Sequence, residues 1–114
     1  MTLVYKIVPE KLWREAVAAG VFAGAPVDLA DGFIHFSTAA QVQETADKHF
    51  AGQADLLLAV VEAEDFGGAM RWEPSRGGAL FPHLYAPLPV SAARGVHPIP
   101  IRPDGRHDFA GLLT

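Results

Sequence analysis

Prolines restrict where this chain can form helices. Six of its nine prolines lie in the last third, at positions 82, 87, 89, 98, 100 and 103. Proline lacks a backbone N–H and clashes with the preceding turn, so it interrupts the interior of a helix. Within this third, Val96–Ile101 is predicted to form an edge strand, where proline is tolerated. Substantial helices must therefore lie earlier in the chain.

Two helices are predicted in the first half of the chain. Apolar residues at helical spacing place the first over Glu10–Ala19, and Gly20 is a natural terminator for it. The second is predicted to begin after a cap at Ser37 or Thr38 and to end at Gly52.

Extended segments surround these helices. The most apolar stretch, Asp55–Ala63, is predicted to be a central strand buried on both faces. The stretch Val21–Asp28 is predicted to be a loop because it contains Gly24 and Pro26. This order, with both helices early and strands throughout, predicts a single α+β domain over residues 1–114. The remaining predicted strands are Leu3–Val8, Phe33–Ser37, Ala69–Glu73 and Ala79–Tyr85.

Composition excludes several classes of site and partner. The chain has no cysteine, which excludes a disulfide scaffold, a thiolate nucleophile and an iron–sulfur cluster. Its formal net charge of −4 argues against a long nucleic acid as partner. The longest apolar run, Leu56–Val61, is far shorter than the roughly 20 residues that span a bilayer. We therefore expect no membrane partner and a cytoplasmic location, since the first residues carry no targeting signal.

The strongest candidate for a functional site is the segment Asp31–Thr38. His35 and Ser37 are two residues apart on a predicted strand, so their side chains point to the same face. They precede a helix N-terminus, whose free N–H groups favour an anion or a phosphate. The alternative is structural: Ser37 and Thr38 only cap the helix, and His35 is a half-buried residue with a hydrogen-bond partner.

Two further segments combine aromatic and ionisable side chains. His83 and Tyr85 share a face if their segment is extended, and Trp72-Glu73 lies a short distance earlier. Aromatic rings supply stacking surfaces, and a carboxylate can accept a ribose hydroxyl or act as a general base. The alternative is that Trp72 belongs to the core, Glu73 is solvated and His83 satisfies a backbone group.

The five histidines of the chain show no local metal-binding pattern. None of them pairs at His-x-His, His-x₃-His or His-Glu-x-x-His spacing, so no metal site is predicted. A convergence of His35, Glu73 and His83 in space stays open as an alternative. The other three histidines are predicted to lie on the surface: His49, His97 and His107.

These clusters, in this order along nearly the whole chain, resemble the bacterial domain-of-unknown-function family 952 (DUF952). The resemblance implies a fold similar to that of ADP-ribosyltransferases, with a split, mostly antiparallel sheet and two helices near the N-terminus. His35-Phe36-Ser37 is also similar to the His-hydrophobic-Ser strand of the RNA 2′-phosphotransferases, which use NAD. The matching stretches are Val4–Ile7, Asp31–Thr38 with Gln41, Trp72-Glu73 and Leu80–Tyr85.

The resemblance implies an NAD- or nucleotide-dependent transferase, of the ADP-ribosyl or 2′-phosphotransferase kind, with NAD as cofactor. The catalytic residues expected from the three clusters are His35, Glu73 and His83. The residues expected to bind the ligand are Tyr5, Ser37, Thr38, Trp72 and Tyr85.

Two alternatives to a transferase stay open. One is a non-catalytic module that binds a nucleotide or a small anion in the same cleft. The other is an interaction domain in which the histidine and tryptophan clusters are structural. For the transferase and the binding module, the expected partner is a small nucleotide-like ligand rather than a long nucleic acid. The sequence leaves the oligomeric state open.

Overall fold

The computed structural model describes residues 1–113, apart from the side chain of Arg76. Its three α-helices are α1 (Glu10–Ala19), α2 (Pro26–Asp31) and α3 (Val42–His49). Its strands are β1 (Leu3–Pro9), β2 (Val21–Phe22), β3 (Ile34–His35), β4 (Leu56–Glu62), β5 (Met70–Pro74), β6 (Leu80–Leu84), β7 (Leu88–Pro89) and β8 (Gly95–Pro98). Short 3₁₀ segments cover Ala63–Ala69, Arg76–Gly78 and Val90–Ala92.

The first sheet is built around β4, which pairs with β1 on one side and β8 on the other. All but one residue of β4 are buried, in agreement with its unbroken apolar sequence. The prediction of a central strand over Asp55–Ala63 is therefore confirmed, and so is the edge position of the proline-containing strand β8.

The second sheet has the order β3-β6-β5, and β2 pairs with β7 in a separate short ladder. Among the described residues, every strand pair is antiparallel. Reciprocal backbone hydrogen bonds of 2.8 Å between Tyr5 and Ser37 join β1 to the segment that follows β3. The predicted α+β class with mostly antiparallel strands is confirmed, and this junction brings the second sheet against β1.

Strand β1 places its side chains alternately in two apolar clusters. Val4 and Val8 pack in a cluster with Trp13 of α1. Tyr5 and Ile7 pack in the other cluster, which includes the buried apolar face of α3. Because successive side chains of a strand point to opposite faces, one short apolar strand contributes to both cores.

Strand β2 and the first half of helix α2 lie within Val21–Asp28, the stretch that the sequence predicted to be a loop, so that prediction is wrong. Pro26 occupies the first helical position, where its missing N–H costs nothing. The Asp28 carboxylate accepts a hydrogen bond of 2.7 Å from the backbone N–H of Ala25 and so fixes the first turn. Gly32 ends the helix with φ of 87°, a left-handed conformation that suits glycine.

The start of α3 also differs from the prediction, because neither Ser37 nor Thr38 caps it. A turn follows Thr38, and the helix begins at Val42. The Gln41 side chain accepts a hydrogen bond from the Thr38 N–H at 3.0 Å, which supports the turn rather than the helix end. No described helix is both long and apolar enough to cross a membrane.

Candidate functional site

Strand pairing between β3 and β6 brings two histidines together. His35 and His83 occupy directly opposite positions in the antiparallel ladder. Their rings meet edge to face, with centroids 5.5 Å apart. Opposite residues of a sheet share a face, so both imidazoles project to the same side.

The Glu73 carboxylate holds His83 from the neighbouring strand β5, and the Tyr85 phenol holds that carboxylate. Nδ1 of His83 lies 2.9 Å from Oε1 of Glu73, and the Tyr85 hydroxyl donates to the same oxygen at 2.7 Å. These hydrogen bonds, that from Tyr85 first, lower the pKa of Glu73. The same bond to Glu73 raises the pKa of Tyr85. A carboxylate can only accept, so Nδ1 of His83 carries the proton and its lone pair lies on Nε2 when the ring is neutral.

His35 is held in turn by the buried carboxylate of Asp28. Nδ1 of His35 donates to Oδ1 of Asp28 at 2.7 Å, and the backbone N–H of His35 donates to the same oxygen at 3.1 Å. The ammonium of Lys6 lies 3.0 Å from each of the two Asp28 oxygens. On its other side, Nε2 of His35 lies 2.9 Å from Oδ2 of Asp31. Contact with a carboxylate at both nitrogens requires a proton on each of them.

The Asp28 carboxylate stays ionised because its partners outweigh its burial. Burial alone would raise the pKa, but hydrogen bonds from His35, the charge of Lys6 and the amide of Ala25 lower it to about 2. Burial lowers the pKa of Lys6, and the charge and hydrogen bond of Asp28 oppose that effect. Lys6 and Asp28 therefore form a buried ion pair, and this pair fixes the Nδ1 edge of the His35 ring.

Phe33 packs the two imidazoles together. Its ring is stacked on His83 at a centroid distance of 4.1 Å and lies 4.5 Å from His35. It also contacts Tyr85 at 5.2 Å, and the guanidinium of Arg71 lies 4.5 Å from the centre of the Tyr85 ring. Aromatic contacts of this kind restrict ring rotation, so the imidazoles are oriented by packing as well as by hydrogen bonds.

The two histidines form part of the wall of a cavity of about 560 Å³. That volume is within the range of sites for small molecules and cofactors. Its apolar lining comes largely from β1 and α2, together with Phe36, Phe50 and Phe81. The polar side chains that line it are Lys6, Asp31, His35, Ser37, Thr45, His49, Ser75 and His83.

The structure brings together most of the residues that the sequence singled out. His35, His83, Glu73 and Tyr85 form one connected cluster. Tyr5 and Ser37 line the cavity, where the hydroxyl of Ser37 lies 2.9 Å from that of Thr45.

Thr38 and Trp72 are not brought to this cluster. Thr38 is half-buried in the turn before α3 and does not line the cavity. Trp72 is opposite Pro82 in the β5–β6 ladder, on the face away from Glu73, and is 40% exposed.

Sequence reasoning missed three residues that build the site: Lys6, Asp28 and Phe33. The signal for Lys6 was present, because a lysine within the apolar strand Leu3–Val8 needs a partner when the strand is buried. Phe33 lies on the strand face of His35 and Ser37, as alternation predicts. Asp28 carried no such signal, since it fell in a predicted loop.

The remaining three histidines do not belong to the cluster of His35 and His83. His49 lines the cavity, and His97 is exposed on β8. His107 was predicted to lie on the surface but is only 1% exposed, and its Nε2 donates to the Gln53 carbonyl at 2.7 Å, which compensates part of the cost of burying the ring. Within residues 1–113, no group of three or more histidines and carboxylates is arranged to hold a metal ion.

Comparisons with known proteins identify relatives of the same fold. The crystal structure of protein CC0527 from Caulobacter crescentus is similar with a TM-score of 0.92 and 51% identity, over 96% of each chain. The solution NMR structure of CC0527 gives a TM-score of 0.89 and 51% identity, over 100% of this chain and 98% of that one. A comparison with curated proteins finds no match. The model of the family described as "Protein of unknown function (DUF952)" matches residues 7–96, and the chain therefore belongs to the DUF952 family.

Proposed function

We propose that this protein is an NAD- or nucleotide-dependent transferase of the ADP-ribosyl or 2′-phosphotransferase kind. The observation that carries the proposal is the pair of imidazoles on one cavity wall, each oriented by a carboxylate. His83 is oriented by Glu73, and His35 is oriented by Asp28. General acid–base catalysis needs groups that are fixed in position and tautomer, and this arrangement supplies both conditions.

His83 is the proposed general base. Nδ1 donates to Glu73, so the lone pair of the neutral ring lies on Nε2. Among the described side chains, Nε2 has no hydrogen-bond partner. It can therefore accept the proton of an attacking hydroxyl group. Glu73 then stabilises the imidazolium that forms, as a carboxylate does in other base–orienter pairs.

His35 is the proposed ligand-binding partner of His83. With Nδ1 committed to Asp28, its Nε2 is the atom that can hydrogen-bond a ribose, nicotinamide or phosphate group. Tyr5, Ser37 and the apolar lining would hold the rest of the ligand. When bound, NAD supplies an ADP-ribosyl group through its nicotinamide–ribose bond. We also propose an ADP-ribosyltransferase-like fold, which the two antiparallel sheets joined at Tyr5 and Ser37 support.

The proposal is tested by calorimetry with NAD, ADP-ribose and a 2′-phosphorylated nucleotide, together with an assay for nicotinamide release. His83→Asn should retain ligand binding and lose most nicotinamide release, by about 100-fold or more if a general base is removed. His97→Asn is the matched control, because His97 is exposed on β8 and away from the cavity. Absence of binding for all three ligands at millimolar concentration would refute the proposal.

A non-catalytic module for a nucleotide or a small anion is the second candidate. It is favoured by one observation: Lys6, which lines the cavity, is already paired with the carboxylate of Asp28. A site built for binding can keep such pairs, whereas catalysis needs a group that changes its protonation state. Ligand binding without nicotinamide release, unchanged in Glu73→Gln, would favour the binding module.

A further inference from the structure

We infer that Nε2 of His35 is an anion-binding position that Asp31 occupies in the free protein. A ligand takes this position with a singly charged oxyanion, either a phosphodiester or a carboxylate, which displaces Asp31. The inference rests on the proposed function only in that it uses the same cavity.

The two carboxylates that contact His35 are held very differently. The Asp28 side chain is 1% exposed and is fixed by Lys6, by the Ala25 amide and by His35 itself. The Asp31 side chain is 48% exposed, at the last position of α2. Among the described residues, His35 is its only hydrogen-bond partner. Asp28 is therefore a permanent part of the site, whereas Asp31 can rotate into solvent at little cost.

Asp31 also has the chemistry and position of a ligand group. Both it and His35 line the cavity, and its Oδ2 lies 2.9 Å from Nε2. A bound carboxylate or phosphate oxygen would make the same charge-assisted hydrogen bond. The contact in the free protein shows the geometry that an incoming anion would adopt.

The charges around His35 limit the ligand to a single negative charge at this position. Lys6 and the doubly protonated His35 balance Asp28 and Asp31. Exchange of Asp31 for a monoanion preserves this balance, whereas a dianion adds an uncompensated negative charge. Among the described side chains, the other ionisable group in contact with His35 is His83, which faces Glu73. Each phosphate of the NAD pyrophosphate has one ester and one anhydride linkage and carries one charge, as a phosphodiester does, so a nucleotide of this type satisfies the limit.

The test is an NMR titration of the full chain with dimethyl phosphate, acetate and sulfate. It is carried out at about pH 5.5, where an imidazole with the ordinary pKa of about 6.5 is roughly 90% protonated, which limits differences in ring protonation between variants. In the wild type, the signals of Phe33, Ile34 and His35 should move on addition of dimethyl phosphate or acetate. The two titrations together distinguish a phosphodiester site from a carboxylate site. Sulfate, which is a dianion, should bind more weakly than the better of the two.

Asp31 competes with the ligand for Nε2 of His35, so its replacement should strengthen anion binding. Asp31→Asn and Asp31→Ala should each bind the preferred monoanion about fivefold more tightly, the factor expected for loss of an exposed ion pair. Asp65→Asn is the matched control, because Asp65 also forms an exposed ion pair, with Arg94, and should leave anion binding unchanged. Unchanged or weaker binding in both Asp31 variants, or tighter binding of sulfate, would overturn the inference.

The result also separates this inference from the proposed function. Monoanion binding that increases without Asp31, in a protein that does not bind NAD, would refute only the proposed function. NAD binding with no effect of the Asp31 substitutions on small anions would refute only the inference.

Discussion

Replacement of Asp28 by asparagine removes the carboxylate on which both Lys6 and His35 depend. Asp28 accepts hydrogen bonds from the Lys6 ammonium, the Ala25 amide, and the backbone and ring of His35. Asparagine keeps the size of the side chain but loses its negative charge. The buried Lys6 charge then has no counterion, and an NH2 donor replaces one of the two oxygens that accept from His35 and from Ala25.

The loss of stability in Asp28→Asn can be derived both from the pKa of Asp28 and from the usual cost of breaking a buried ion pair. The pKa of Asp28 falls from 3.8 to about 2 on folding, which corresponds to about 2.5 kcal/mol of stability at neutral pH. Loss of one partner of a buried ion pair ordinarily costs about 3–5 kcal/mol. We therefore expect Asp28→Asn to lower the free energy of unfolding by about 2–5 kcal/mol. That is a large fraction of the roughly 5–15 kcal/mol available to a small domain.

The direction of the pH dependence follows from the same numbers. The pKa of Asp28 is lower in the folded protein than the ordinary value of 3.8. The contribution of Asp28 to the free energy of unfolding is therefore complete above about pH 4 and is lost as the pH falls towards about 2. Over this interval, the difference in stability between the wild type and Asp28→Asn should shrink. Other carboxyl groups with lowered pKa values, such as Glu64, are present in both proteins and cancel in the difference.

Urea unfolding, followed by far-ultraviolet circular dichroism, measures these free energies in a double-mutant cycle. Lys6→Met alone leaves Asp28 without its ammonium partner and should also destabilise the protein. The double variant should be less destabilised than the sum of the single variants by about 1 kcal/mol or more, because it leaves no unpaired charge. Additive effects, or an Asp28→Asn variant within 0.5 kcal/mol of the wild type, would refute the assignment of a buried pair.

Three further predictions concern other parts of the structure. In Glu73→Gln, the raised pKa of Tyr85 should fall towards its ordinary value in a titration of phenolate absorbance, and no fall would contradict their hydrogen bond. Leu58→Ala should cost about 2–5 kcal/mol in urea unfolding, because Leu58 is fully buried in the central strand; a negligible cost would contradict that position. Gly32→Ala should cost about 1 kcal/mol in thermal unfolding because its φ is 87°, whereas Gly68→Ala, with no positive φ, is the control.

The elements that the sequence predicted best are those whose pattern is local. Helix α1 begins and ends at the predicted residues, since its apolar stripe and its terminator Gly20 are contiguous in the chain. Strand β4 was predicted from an unbroken apolar run, which needs no knowledge of its neighbours. The clustering of His35 with His83 was anticipated only as a shared cleft, because the ladder that pairs them joins residues 48 positions apart.

The errors arise where distant residues decide the structure. Helix α2 has six residues, too few to show an apolar period, and is stabilised by Asp28. The same carboxylate binds Lys6, which comes 22 positions earlier. His107 is buried, and its hydrogen-bond partner is a carbonyl 54 positions away. Patterns read over short windows cannot reveal such contacts, whereas an isolated charge in an apolar strand, as at Lys6, does indicate that a partner must exist.

The carboxylates of Asp28 and Glu73 differ in burial, and this difference indicates different roles for His35 and His83. Asp28 is buried with Lys6 and keeps its charge down to about pH 2, so it accepts from Nδ1 of His35 as a carboxylate. Glu73 is one-third exposed and shares one oxygen between His83 and Tyr85, so it orients His83 without a buried cation beside it. Environments that separate paired titratable groups in this way assign them different roles in acid–base chemistry. On this argument, His35 serves the proposed site as a hydrogen-bond donor and His83 serves it as the group that accepts a proton.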